Sequence, residues 1–116
     1  MSTGIKNDQG KPRLDLISPI ALEELAKVLD FGSKKYDTWN WSKGLAYTRV
    51  LAAILRHTYK YVSGETIDPE TGISHMAAVM CNAMFLLHFE KFRPQFDDRP
   101  KGVFDVNNKV DENRIL

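Results

Sequence analysis

Between Gly64 and Leu87 the chain reads GETIDPETGISHMAAVMCNAMFLL, and its chemically capable groups crowd together. Glu65, Asp68 and Glu70 fall within six residues, His75 follows, and Asn82 comes seven positions later. On a helix, seven positions make two turns along one face, so carboxylate, imidazole and amide groups are expected to converge where the loop meets the helix. Glu65 and Asp68 stand at ExxD spacing, and His57 precedes Glu65 by eight positions. Oxygen ligands in that number suit Mg²⁺ or Mn²⁺, ions that bridge phosphate oxygens and polarise an attacking water. An added imidazole moves the preference toward Mn²⁺ or another transition metal. The metal-ligand candidates are therefore His57, Glu65, Asp68, Glu70 and His75, and the candidates for activating water are Glu65, Asp68 and His75. Each residue also has an ordinary structural use. Asp68-Pro69-Glu70-Thr71-Gly72 is good turn chemistry, Asn82 suits a satisfied core amide, and a histidine on an apolar face is commonly a hydrogen-bonded core residue.

A second group precedes this one. In SKKYDTWNW, residues 33–41, Lys34 and Lys35 stand beside Tyr36, Trp39 and Trp41. Ammonium groups hold phosphate and aromatic faces stack a base, so Lys34, Lys35, Tyr36 and Trp41 are substrate-binding candidates, with Asn82 and the cationic Arg56. In the N-terminal KPRLDLI, Lys11 and Arg13 alternate with leucines and could contact an anion. The helix carrying Arg56 also has Arg49 and Lys60 and no acid, and three acids follow Gly64. Such a switch from basic to acidic suits a site that handles a metal and a phosphate together.

Elements to position these groups are legible in the pattern. Ser18 is a good N-cap and Pro19 suits the first helical position; Leu22, Leu25, Ala26 and Leu29 then form an apolar stripe, and Gly32 is expected to interrupt or end the helix near Phe31. A second helix is expected from about Thr48 to Val62, with His57 on its apolar side and Gly64 as its stop. A third runs from the Ser74 cap to about Phe92 and is apolar almost all round, so it must be buried on several sides. Residues 1–17 read as an ordered arm laid on the domain. Residues 93–116 lack a helical period and read as an extended tail with Phe96 and Phe104 as its anchors. The predicted fold is all-α: a small bundle of three main helices over residues 1–92, with the arm and tail attached, completed by homo-oligomer formation that covers the apolar helix.

Bulk properties narrow the function classes. A length of 116 residues is about one domain. Sixteen Lys and Arg against fifteen Asp and Glu give a net charge of +1, so no global field draws the chain to a nucleic-acid polymer or a membrane. A single cysteine, Cys81, excludes an intramolecular disulfide framework. No apolar run reaches the roughly 18 residues that cross a bilayer, and the expectation is a cytoplasmic protein. Walker, GxSxG and HExxH patterns are missing from the sequence.

The strings GKPRLDL (residues 10–16), VLDFGSKKYDTWNW (28–41), Arg56-His57, GETIDPETGISH (64–75), Asn82-Ala83 and Phe85-Leu86 resemble the phage-associated family of dATP/dGTP diphosphohydrolase N-terminal domains. The likeness runs from about residue 8 to residue 90, and it implies a substrate-binding role for Asn40 as well as for Lys35 and Trp41. It implies hydrolysis of deoxypurine triphosphates to monophosphate and pyrophosphate, reshaping the nucleotide pool in the cytoplasm of an infected bacterial host. It also implies kinship with all-α MazG-like pyrophosphohydrolases, whose helices hold metals with ExxE and ExxD carboxylates. That match is partial: Glu65 and Asp68 supply an ExxD, but the first helix has Lys27 where a second glutamate is wanted, and the third has no acid before Glu90. Two functions therefore stay open beside a purely structural oligomer. One is a metal-dependent diphosphohydrolase, and the other is a nucleotide-binding sponge that sequesters its ligand without cleavage.

Overall fold

The computed structural model describes residues 2–104. Three helices carry the fold: α1 (Pro19–Lys35), α2 (Tyr47–Val62) and α3 (His75–Phe92). Between α2 and α3 lies a two-stranded antiparallel hairpin, β1 (Ile67–Asp68) and β2 (Ile73–Ser74), with Ile67 opposite Ser74 and Asp68 opposite Ile73. Short 3₁₀ turns at Leu14–Leu16, Asn40–Lys43 and Pro94–Phe96 complete the order.

Local chemistry accounts for the helix starts. The Ser18 hydroxyl accepts from the Ala21 N–H and Pro19 follows it, so α1 begins with one orphan donor satisfied and one removed. Ser74 accepts from the Met76 N–H at 3.1 Å, and the same residue closes the hairpin register. Ser74→Ala is expected to cost about 1 kcal/mol in urea unfolding, and Ser74→Asp to recover most of it, since the lost group is one cap acceptor.

The start of α2 is capped differently. Ala46 offers no side-chain acceptor. Asp98 supplies it from fifty residues away, taking the Thr48 N–H at 2.9 Å and the Thr48 hydroxyl at 2.6 Å. Phe96 packs so closely over Gly44, whose φ is +104°, that a Cβ there would lie 2.7 Å from the ring. Residues 93–98 are thus tied to the loop before α2 and to its first turn, with Phe96 as an anchor and Phe104 largely exposed. The rest of the predicted tail, residues 105–116, lies outside the described residues.

The core sits between α2 and α3. Tyr47, Val50 and the fully buried Phe89 form its centre, with Trp41, Leu45, Ile54, Phe85 and Leu86 packed against them. Two expectations need correction. α1 passes through Gly32 to Lys35, because Gly32 does not take the left-handed backbone that makes glycine a helix stop, and a helical glycine otherwise costs only about 1 kcal/mol. The N-terminal arm does not lie on the domain. Residues 2–18 are exposed throughout, and the arm's side-chain bonds are local, as in the Arg13–Asp15 pair. The apolar surface of α3 is covered unevenly. His75, Ala77, Cys81 and Phe89 are buried, whereas Leu87 and Phe92 remain more than half exposed.

Candidate functional site

The hairpin delivers the first residue of α3 to the last turns of α2. Gly64, at φ +99°, ends α2 and reverses the chain, with the Glu65 N–H closing on the Lys60 carbonyl at 3.0 Å. In the turn that follows, the Asp68 carbonyl accepts from the N–H groups of Thr71 and Gly72, and Asp68 Oδ1 accepts from the Glu70 N–H at 3.0 Å. Asp68 is therefore a turn residue, as its sequence context suggests. The turn occupies only one of its carboxylate oxygens.

Oδ2, the other oxygen, lies 4.0 Å from His57 Nδ1. His57 Nδ1 in turn lies 2.8 Å from Nδ1 of His75, which is only 3% exposed. One ligand atom from each of His57, Asp68 and His75 falls within 4.8 Å of the others. Glu65 takes a different place. Its Oε1 is 2.8 Å from His75 Nε2, across the imidazole from the convergence. A carboxylate beside Nε2 favours the tautomer that carries its proton there, which turns the Nδ1 lone pair toward His57 and Asp68. Glu70 is exposed and contributes only its backbone N–H to the turn.

Burial lowers the His57 pKa, the nearby His75 pushes in the same direction, and the Asp68 carboxylate offsets only part of this. His57 is thereby held toward its neutral, lone-pair-bearing form. A histidine with a depressed folded-state pKa binds fewer protons folded than unfolded just below its ordinary value of about 6.5. Stability is expected to be fully present above that pH and to fall as the pH drops from there through the folded pKa. Urea unfolding of the wild type and His57→Gln between neutral and mildly acidic pH reads this, the variant showing a shallower loss.

The second constellation is a cavity of about 270 Å³ where the end of α1, the Asn40–Lys43 turn and the middle of α3 meet. Lys35, Tyr36, Asn40, Trp41 and Asn82 all line it. Trp41 is stacked on Phe85 with ring centroids 5.0 Å apart and lies in a T-shaped pair with His88 at 4.9 Å, so its indole is held by two aromatic neighbours. Lys35 Nζ lies 5.6 Å from the Tyr36 ring centre. Asn82 donates one amide N–H to the Ala78 carbonyl at 2.8 Å. The expectation that Asn82 joins the carboxylates and imidazoles is corrected. It lies seven residues along α3 from His75, roughly 10 Å along the axis, and faces the cavity.

Residues 1–99 match the family described as dATP/dGTP diphosphohydrolase, N-terminal. The chain belongs to this family. It is 43% identical over 97 residues to a protein of Salmonella phage PMBT28 named dATP/dGTP diphosphohydrolase. That alignment covers 84% of this chain and 33% of the relative, so the chain spans about a third of the relative's length. No solved structure matches.

Four candidate cations stand outside the cavity lining. Lys34 pairs with Asp30 at 3.5 Å, Arg13 with Asp15 at 2.7 Å, and Lys11 and Arg56 are exposed. Arg56 adjoins His57 on α2. The α1 carboxylate Glu24 is taken by Lys27 at 2.8 Å. Among the described residues, then, acids from α1 do not join His57, Asp68 and His75. Among the cavity's lining residues on α3, sequence reasoning missed Cys81 and Phe85. Burial pushes the Cys81 thiol up to about 11, so it lines the wall as an inert apolar group. Their signal was present as the i, i+1, i+4 spacing of Cys81, Asn82 and Phe85 on one helix. No helix among the described residues is long and apolar enough to cross a membrane.

Proposed function

We propose that the chain binds a purine deoxynucleoside triphosphate, with the base in the Trp41 cavity and the phosphates directed to His57, Asp68 and His75. With a divalent cation there, Mg²⁺ or Mn²⁺ being the first candidates, it acts as the phosphate-handling unit of a diphosphohydrolase that releases monophosphate and pyrophosphate. The observation that carries this reading is the approach of two imidazole Nδ1 atoms and a carboxylate two helical turns along α3 from an aromatic cavity. The substrate class is suggested by the name of the phage relative, dATP/dGTP diphosphohydrolase. A nucleotide pool role in the cytoplasm of an infected cell is part of the same proposal, supported by the phage origin of that relative.

The donor set fits a cation. Two nitrogens and one oxygen converge, Asp68 is anchored by its turn, and His75 is oriented by Glu65. A bound divalent ion would draw in phosphate oxygens and acidify water there. Trp41 and Tyr36 offer faces for a base, Asn40 and Asn82 offer amides to its edge, and Lys35 and Arg56 offer charge to phosphate.

A second reading has its own support. Carboxylates do not join the cluster from α1 or from α3, where no acid precedes Glu90, and this favours retention of a nucleotide without cleavage. Incubating the chain with a panel of dNTPs and NTPs plus Mn²⁺ or Mg²⁺, then separating the products, divides the two. Monophosphate and pyrophosphate support the enzyme, and intact retained nucleotide supports the sponge. Neither product nor retention sinks both. The exposed Leu14, Leu16, Ile17 and Ile20 at the start of the chain, with Leu87 and Phe92 on α3, support a homo-oligomer, which light scattering of the purified chain tests.

A further inference from the structure

We infer that the cation site is a three-point site for a nitrogen-seeking transition ion, with His57 Nδ1, His75 Nδ1 and one Asp68 oxygen as ligands. Glu65 is the positioning residue for His75 and is not itself a ligand. This rests on the proposal that a cation sits here, and it narrows the candidates Mg²⁺ and Mn²⁺ to the transition-metal side.

The tautomers decide much of it. Glu65 Oε1 sits 2.8 Å from His75 Nε2, which favours the tautomer with its proton on that nitrogen and its lone pair on Nδ1. Across the 2.8 Å gap, His57 Nδ1 carries a proton when it donates to that lone pair. To ligate, His57 shifts its Nδ1 proton to Nε2 of the same ring by exchange with water. The ring's charge is unchanged, and its side chain is a quarter exposed, so water reaches it. Both Nδ1 lone pairs then meet in one place. Asp68 is ready for this without rearrangement, because Oδ1 is held by the Glu70 N–H and Oδ2 is left to the cluster.

Ligand chemistry decides the rest. Mg²⁺ requires oxygen donors in near-octahedral array and gives up water reluctantly, and this cluster offers it one carboxylate. Imidazole pairs with a carboxylate suit manganese, iron, cobalt, nickel and zinc, with affinity rising from Mn²⁺ through Co²⁺. Glu65 completes a pattern in which a ligating histidine donates its far N–H to a carboxylate. That contact fixes the ring and raises the basicity of its ligating nitrogen.

The chain, stripped with a chelator and dialysed, is titrated with Co²⁺ while its visible absorption and binding heat are followed. One Co²⁺ per chain is expected, weaker binding of Mn²⁺, and no displacement of Co²⁺ by about a hundredfold excess of Mg²⁺. Asp68→Asn and His57→Ala should each weaken Co²⁺ by at least tenfold. Glu65→Ala should weaken it roughly 10–100-fold while leaving the stoichiometry and band positions unchanged, and Glu65→Gln, which keeps an acceptor for Nε2–H, should recover part of the loss. Circular dichroism confirms that each variant is folded, and Asp68→Asn serves should His57→Ala not fold.

Displacement by comparable Mg²⁺, or a Co²⁺ spectrum altered by Glu65→Ala, overturns the inference. So does unchanged Co²⁺ affinity in folded Asp68→Asn. Retention of dATP is measured on the same samples. If cobalt binds as expected and dATP is neither held nor cleaved, the nucleotide reading fails and the site stands. If dATP is processed with Mg²⁺ and cobalt finds no site, the reverse holds.

Discussion

Phe89→Ala is expected to lower the unfolding free energy by about 3–5 kcal/mol, the range for removing a buried aromatic ring. Phe89 is the one fully buried large side chain named in the core, at 0% exposure, with the rings of Tyr47 and Phe85 each 6.3 Å away. Its neighbours cannot collapse into the space. Tyr47 and Val50 are fixed on α2, and Phe85 is held one turn away on α3 by its stack with Trp41. A domain of this size has roughly 5–15 kcal/mol in all, and the buried apolar set here is small. The substitution therefore removes a large share of the total. Urea unfolding reads it as a lower midpoint at unchanged slope. Leu87→Ala, at a residue 66% exposed on the same helix, is the control and should stay within about 0.5 kcal/mol. A loss of under about 1 kcal/mol for Phe89→Ala would mean that the α2–α3 contact is not the core.

The difference between these two apolar positions on α3 was hidden in the sequence for a physical reason. A helix apolar all round has no periodic face from which burial can be read, so Phe89 and Leu87 look alike until the partners are known. Local signals travelled better. Ser18 with Pro19, Gly64 and Ser74 mark helix ends through their own backbone chemistry, and the structure uses each of them there. Gly32 misled because glycine stops a helix only when the backbone turns left-handed, which residue type alone does not say. Asp98 was invisible as the cap of α2, since its partner Thr48 is fifty residues away.

The candidate site divides the same way. Lys35, Tyr36, Asn40 and Trp41 are close in sequence and reach one cavity, where Asn82 joins them from α3. Helical spacing correctly put His75 and Asn82 on one helix but could not say that His75 meets α2 and the hairpin while Asn82 meets the end of α1. The meeting of His57 with His75 depends on the hairpin register, and the pairing of Glu65 with the far nitrogen of His75 depends on a rotamer. Neither is written in residue types.

Asp68→Asn is expected to reduce release of monophosphate and pyrophosphate from a purine dNTP by about 10²–10⁴-fold, while nucleotide retention changes only a few-fold. The asymmetry follows from what Asp68 does with each oxygen. An asparagine keeps Oδ1 as acceptor for the Glu70 N–H, and the backbone carbonyl still takes Thr71 and Gly72, so the turn and the hairpin persist. Only the negative charge facing His57 is lost. Trp41→Leu should do the reverse to binding. It removes a stacking face worth roughly 1–3 kcal/mol per base and leaves His57, Asp68 and His75 in position, so retention falls about 5–150-fold. Some stability goes with it, because the Phe85 stack is lost too. Product analysis and filter retention of labelled dATP on both variants distinguish the alternatives. If wild type and Asp68→Asn hold dATP equally and neither yields product, the chain is a sponge. If Asp68→Asn abolishes retention while its fold is intact, the division into a base cavity and a separate phosphate end is wrong.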